Sequence, residues 1–402
     1  MKTAGAFSPR SCIKLLVLVG CTAVLATGCW SYRDVEDRAV VLALGMDALS
    51  DGFELVAQVA LPGGASSGAL QGVDGGKAGK PVWVVSAEGD SLEEASRNLQ
   101  TRVPRELYWG HVRILVIGDR LARQGISPII EAIGRDPSFR LTTWVVISPS
   151  PIASLLSARI PLGTIPAISL AELRKSYTNY TPNLKEVWRT LLDPGIDPAI
   201  PFFTSLPAPK GGMDMSTGSP AEAVQIDGLV LFRSDRRVGM LDLQSTMGFL
   251  FLTSRLDRGV VTLPCPSASV ADNDSPGKHV SMQVRHGQSQ VRVLPGHPPQ
   301  LRVDMTGVGL IIETEGCPID VSKPEGFNLV EQKMNEEIQR LAVSVVQQAK
   351  AVQADVFGFG DAVHRADPVG WSLQAERWHD VFKDLPVEVH ARIKLRLTGT
   401  TK

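Results

Sequence analysis

The chain has 402 residues, 44% of them hydrophobic and 21% charged, with a formal net charge of −1. That is enough length and apolar content for two or three packed domains, which excludes a disordered chain. Lys2, Arg10 and Lys14 are the only charges before residue 29, so removal of residues 1–28 would take the balance to −4, and no basic field suggests nucleic acid.

The first predicted element is an export signal. Lys2, Arg10 and Lys14 form a basic n-region, and the apolar run from Ile13 to Ala26 fits a secretory h-region while falling short of the roughly 20 residues a spanning helix needs. Leu25-Ala26-Thr27-Gly28-Cys29 then sets small residues directly before a cysteine, the arrangement a lipoprotein signal peptidase cuts, so Cys29 is expected to become the lipidated first residue of the mature chain. No second apolar run reaches spanning length, which places the protein on a membrane and not in it. Cys12 and Cys21 leave with the signal; Cys265 and Cys317 remain in the folded body, either paired outside the cytoplasm or free and buried.

Beyond the anchor, residues 39–47 and 53–61 read as strands joined at Asp51-Gly52 into an antiparallel hairpin. Residues 62–80 are rich in Gly and Ser and read as a loop, and 81–87 as another strand. Asp90-Ser91 caps a helix whose inward face carries Leu92, Ala95, Leu99 and Val103. A strand at 112–117, one helix at 119–133 ended by Arg135-Asp136-Pro137, and a strand at 140–147 make a strand–helix–strand unit. Helices follow at 167–180 and 184–192, the second capped by Asn183, and then a strand at 202–206. The stretch 207–222 is the best linker in the mature chain.

The remainder opens on a strand, turn and strand over 226–239 and an apolar segment at 247–252. Residues 280–285 and 290–294 alternate around 286–289, 301–313 is a longer strand, and together they suggest an antiparallel meander. From Asn328 to Val352 runs a long amphipathic helix with Leu329, Val330, Met334, Ile338, Leu341, Ala342, Val345, Val346 and Ala349 on one face, wide enough for a core helix packed on that meander. A last strand occupies 387–397. The expected class is α+β, with two to three domains of mixed or antiparallel sheets and packed helices: a signal peptide at 1–28, an N-terminal α+β domain at 29–206, the linker at 207–222, a small β-rich middle domain at 223–277 and a C-terminal α+β domain at 278–402.

For chemistry the sequence offers little. It contains no nucleophile elbow, Walker loop, HExxH, dinucleotide fingerprint or cysteine pair at metal spacing, and His111 has no cluster of ligand-type residues around it in sequence, so it reads as a structural histidine at a strand start. No catalytic residue, cofactor or metal site is expected, and a secreted hydrolase lacks its constellation.

Certain stretches taken in order resemble a known family. They are Gly28-Cys29-Trp30 with Glu36, Leu44-Gly45-Met46-Asp47, Trp109-Gly110-His111 through Ile117-Gly118, Arg135-Asp136-Pro137 with Arg140, Gly228 to Phe232, Val238-Gly239, and Asp355-Val356-Phe357-Gly358-Phe359-Gly360 with Trp371, Trp378 and Phe382. Over nearly the whole mature chain the sequence resembles the Ger(x)C lipoproteins, the C subunits of spore germinant receptors. Ser31, where an acidic residue is common, is a small departure. The resemblance implies a three-domain α+β subunit without enzymatic activity, lipid-anchored on the outer face of the spore inner membrane. It also implies assembly with integral membrane A and B subunits in a complex that responds to nutrients and starts germination. Cys29 is the one position the resemblance carries over as functional. A solute-binding lipoprotein of a transporter would share the anchor but normally shows two lobes of repeated βα units, whereas the C-terminal half here is strand-rich with one long helix.

Overall fold

A computed structural model describes residues 37–61, 82–158, 165–177, 180–206, 213–214, 219–220, 223–266, 279–296, 298–314, 316–317 and 319–396. The loop expected at 62–80 and the segment around Cys29 lie outside them. Among the described residues, two large sheets, a two-stranded pair and eleven α-helices give a mixed α+β architecture.

The hairpin forms as the pattern requires: β1 (Arg38–Ala48) pairs antiparallel with β2 (Phe53–Ala60), and β2 with β3 (Val82–Gly89). Ser91 caps α1 (Leu92–Thr101), its side chain accepting from the Glu94 N–H at 3.2 Å, and Ala95 and Leu99 are fully buried. β4 (Glu106–Tyr108) and β5 (Ile114–Gly118) both run parallel to β1, β6 (Trp144–Ser148) runs parallel to β5, and β7 (Ala199–Leu206) runs parallel to β6.

The single helix expected over 119–133 is two helices, α2 (Asp119–Gln124) and α3 (Ser127–Arg135). Gly125 at φ +133° separates them, and the Ile126 N–H turns away to donate to the Asp235 carbonyl at 3.0 Å. A distant turn thus interrupts a helix that local periodicity alone would have continued. α4 (Ile152–Ser157), α5 (Pro166–Tyr177) and α6 (Leu184–Leu191) complete this half, α6 starting on a capping box made by Asn183 and Glu186.

β8 (Met213–Asp214) and β9 (Ser219–Pro220) pair with each other, after which β10 (Ala223–Arg233) adds antiparallel to β7 and β11 (Arg236–Leu241) antiparallel to β10. Residues 223–241, read from sequence as the start of a middle domain, are therefore hydrogen-bonded into the larger sheet, whose order is β11-β10-β7-β6-β5-β1-β2-β3 with β4 on β1. Within β10 a bulge falls between Ile226 and Gly228, where Gly228 adopts φ +145° and a Cβ would lie 1.9 Å from the Leu241 carbonyl oxygen. The bulge shifts side-chain parity, so Val224 and Ile226 before it and Leu229 and Leu231 after it share one face. α1, α2, α3 and α6 cover the opposite face, around Ile117, Ile130, Val187 and Phe232, and α4 and α5 cover the face of Val224 and Ile226.

The apolar segment at 247–252 proves to be helical, as α7 (Leu243–Leu252), with Phe249 to Leu252 all buried. A helix apolar on all sides must be enclosed on all sides. It lies between the larger sheet and a second sheet of β12 (Arg258–Pro264), β13 (His279–Leu294), β14 (Gln300–Glu313) and β15 (Val387–Arg396), sharing one hydrophobic cluster with both. β12, β13 and β14 form the antiparallel meander; β15 returns parallel to β14. The segments on either side of 286–289 are one strand with a bulge, because His286 turns to φ +53° and the N–H groups of His286 and Gly287 donate to the carbonyls of Asp257 and Leu256. Cys265 and Cys317 are joined by a disulfide linking the ends of β12 and β14, with Cα atoms 5.5 Å apart.

α8 (Pro324–Ala351) is the long amphipathic helix, starting four residues earlier than its periodicity predicts because Pro324 serves as a first-turn residue. Val330, Met334, Ile338, Leu341, Ala342, Val345, Val346 and Ala349 are buried as expected, while Leu329 points outward at 38% exposure. α9 (Phe359–Ala366), α10 (Pro368–Ser372) and α11 (Trp378–Asp384) close the same cluster through Phe359, Trp371, Trp378 and Phe382. Among the described residues no helix is long and apolar enough to cross a membrane.

Val345 is fully buried in that cluster. Val345→Asp is expected to lower the unfolding free energy by about 3–5 kcal/mol, the cost of an unpaired carboxylate in an apolar core. Chemical denaturation measures it; a midpoint unchanged from wild type would place Val345 at a surface.

Candidate functional site

Among the described residues the two buried carboxylates, Asp197 and Asp355, come together where the two halves of the chain meet. The tight turn Asp193-Pro194-Gly195-Ile196-Asp197-Pro198 lies between α6 and β7, and Ala354 to Phe359 leads from α8 into α9. These two loops face each other and exchange backbone hydrogen bonds: the Asp197 N–H donates to the Asp355 carbonyl at 2.8 Å, and the Asp361 N–H to the Gly195 carbonyl at 3.1 Å. A Cβ at Gly360 would stand 2.8 Å from both the Gly195 Cα and its carbonyl oxygen, so only glycine permits this approach.

Two carboxylates fasten the contact. Asp355 is 0% exposed and accepts four N–H donors: Phe357 (3.2 Å) and Phe359 (3.1 Å) on Oδ1, Gly360 (2.7 Å) and the Trp378 indole (2.9 Å) on Oδ2. Its own N–H donates to Asp197 Oδ2 at 2.8 Å. Asp197, 5% exposed, also accepts on Oδ1 from the Ser234 N–H at 2.6 Å, with His379 Nε2 at 3.1 Å. The Arg233 guanidinium adds a bond to Gln353 Oε1 at 2.7 Å. Residues 197, 233 and 234 belong to the larger sheet and its turns; residues 353, 355, 378 and 379 belong to the second half.

Burial pushes Asp355 from the usual 3.8 up to about 6, opposed by the donors of Gly360, Trp378 and Phe359 and helped slightly by the charge of Asp197. The hydrogen bond to Asp197 holds His379 above its ordinary value, against partial burial. Both oxygens of Asp355 are engaged by protein donors, an arrangement that holds two chain segments together.

Other singled-out residues have structural places. Asp47 Oδ1 accepts from the Leu121 N–H at 3.0 Å, capping α2, so Leu44 to Asp47 and Ile117-Gly118 meet at one helix start. Trp109 stacks on Phe139 with ring centroids 5.7 Å apart, and the exposed His111 lies beside the Tyr108 ring. No group of three or more His, Cys, Asp or Glu that could hold a metal occurs among the described residues. Cys29, the expected lipidation site, lies outside them. Asp355 and Trp378 stood in the sequence as parts of a motif without a role, and Asp197 was missed; its one local signal is the density of turn formers from Asp193 to Pro198.

Comparison with known proteins bears on this arrangement. Residues 31–205 match the family described as Spore germination protein N-terminal domain, and residues 227–399 the family described as Spore germination B3/GerAC like, C-terminal. Spore germination protein KC of Bacillus subtilis (strain 168) is 27% identical over 97% of this chain and 96% of its own. Spore germination protein GerQC of Bacillus cereus is 20% identical over 97% of this chain and 100% of its own. The crystal structure of the GerBC protein superposes with a TM-score of 0.55 at 15% identity, covering 88% of this chain and 96% of that one, which supports the fold.

The junction sets a pH dependence. Because Asp355 has a folded value near 6 against 3.8, the folded protein keeps a proton that the unfolded chain has lost across that interval, and stability from this group falls as pH rises through it. The raised value of His379 contributes stability that is full below 6.5 and lost as pH rises through its folded value, so both slopes share a sign. Urea midpoints should therefore be higher at about pH 5 than at about pH 8. Asp355→Asn is expected to cost about 2–4 kcal/mol, since an amide sets its own N–H groups against donors, and to flatten that slope. A variant as stable as wild type, with the slope intact, would remove the carboxylate from this role.

Proposed function

The chain belongs to the GerAC-like family of spore germination proteins, and from that membership we propose that it is the lipid-anchored C subunit of a nutrient germinant receptor. In this reading signal peptidase removes residues 1–28, Cys29 carries the lipid, and the body stands on the outer face of the spore inner membrane with integral membrane A and B subunits. Its role is to scaffold the complex and relay its signal, without catalysis. The observation that carries the reading is the succession of both GerAC family matches along 31–399, directly behind the Gly28-Cys29 signal. Supporting the non-catalytic role, the buried carboxylates at the junction are spent on backbone donors, as a structural joint requires. We further propose that residues 207–222 link an N-terminal unit at 29–206 to the units at 223–277 and 278–402 as divisions of the sequence, with strands 223–233 and 236–241 folding back from the second of these to complete the sheet of the first.

The solute-binding alternative would need two lobes of repeated βα units; the second sheet, a meander with one parallel return strand, does not follow that plan. Cys29→Ala tests the anchor. The variant, produced in the absence of other receptor subunits and fractionated in about 0.5 M salt, which screens attachment by surface charge, is expected in the soluble fraction with its fold intact, because the acyl chains supply the salt-resistant membrane affinity. Retention in the membrane fraction at wild-type level would contradict the lipid anchor.

A further inference from the structure

Among the described residues, the second sheet is covered on one face only. Val280, Met282, Val284, Val303, Met305, Val389 and Ile393 point into the cluster with α7, α8 and α11, and the residues between them point to the other side. A one-sided sheet is ordinary; the charge on its open side is not. Strand register sets Arg258 opposite Arg285, Arg285 opposite Val308, and Val308 opposite Lys394, so one row across the four strands carries three cations and no anion. Arg392 and Arg396 flank Lys394 on the same side of β15.

Few carboxylates balance them. Asp304 lies between Arg292 Nε (3.7 Å) and Arg302 Nε (3.4 Å), and Glu388 stands 2.8 Å from His390 Nε2. The Arg285 side chain bonds the neutral Gln283 side chain, at 2.7 Å, and no carboxylate among the described residues. Among the described residues Arg258, Arg392, Lys394 and Arg396 have no carboxylate partner. On a chain whose net charge is −1, this is segregation of charge onto one surface. Apolar side chains stand beside the cations, Val260 next to the row of Arg258 and Arg285 at 46% exposure and Ile312 beyond the row of Arg396 at 53%.

We propose that this open face of the second sheet docks on an anionic phospholipid surface. The proposal rests on the membrane-anchored reading above, which puts a lipid headgroup layer within reach of the body. Chemistry selects that occupant over other polyanions. The outward positions of the four strands carry no Phe, Tyr or Trp, so the face lacks the stacking platform on which sheets hold single-stranded nucleic acid. Cations spread over three strands suit a plane of headgroups better than one extended acidic segment, and the neighbouring Val260 and Ile312 can enter the headgroup boundary. With the lipid holding one end and this face held by charge, the body would lie at a fixed attitude to the bilayer, the two-signal arrangement that stable peripheral attachment requires.

The test uses the processed chain, residues 29–402, carrying Cys29→Ser so that no acyl chain contributes, in sedimentation with vesicles. One set is pure phosphatidylcholine; the other contains about 30 mol % phosphatidylglycerol. Binding to the anionic vesicles only, weakening steeply from about 50 to about 300 mM salt, is expected. Each cation near such a surface contributes about five-fold in partitioning, so Arg258→Gln with Arg392→Gln and Lys394→Gln should weaken binding about a hundred-fold at an unchanged melting temperature. Equal binding to both vesicle types, no binding, or a folded triple variant that binds like wild type would each overturn the proposal, as would preference for soluble polyglutamate or polyuridylate over vesicles. Since the tested chain bears no lipid, these results are independent of Cys29→Ala: failure here removes the docking face and leaves the anchor standing, and failure there does the reverse.

Discussion

Asp355 is a carboxylate without contact with water that nevertheless keeps both oxygens occupied, by three backbone N–H groups and one indole. A buried carboxylate is tolerable only on those terms, and losing any one donor leaves charge or lone pair uncompensated. Asp197 performs the matching role from the first half, receiving the Asp355 N–H and the Ser234 N–H and donating its own N–H to the Asp355 carbonyl. The loops at 193–198 and 354–361 consequently have fixed positions relative to each other. The entry of α9, the seat of Trp378 and the attachment of β10–β11 to the second half all follow from that.

The apolar packing agrees with the polar joint. Ala199, Leu229, Leu231 and Leu241 of the larger sheet share one cluster with α7, the second sheet and α8. The family matches divide the chain between residues 205 and 227, yet β10, straddling that division at 223–233, pairs along its length with β7 at 199–206. Sequence-level units and hydrogen-bonded units therefore do not coincide. A strand adjoining the second family region completes the sheet of the first, which couples the halves more firmly than a linker would.

What could be read from sequence follows a physical line. Elements whose signal is local were legible: the Asp51-Gly52 hairpin, the caps at Ser91 and Asn183, and the apolar stripe of α8, whose burial matches its period except at Leu329. Elements decided by distant partners were not. Gly125 breaks a helix because Asp235 reaches it, the bulge at His286 depends on the carbonyls of Asp257 and Leu256, and 223–241 joins a sheet whose nearest strand lies beyond the linker. The junction is the clearest case, since Asp197 and Asp355 are 158 residues apart and neither carries a local mark of its partner. The pairing of Cys265 with Cys317 likewise depends on β12 and β14 being brought together through β13.

The Asp197–Asp355 joint makes the two halves one cooperative structure. Native-state hydrogen exchange reads it directly, by comparing the amides of Asp197, Phe359 and Gly360 with core amides of β5 and β14. In one cooperative structure all of these amides exchange only through global unfolding, with the same free energy and the same dependence on denaturant. Junction amides that exchange through a low-energy opening while β5 and β14 remain protected would contradict it, and would make the joint a hinge between independently stable halves.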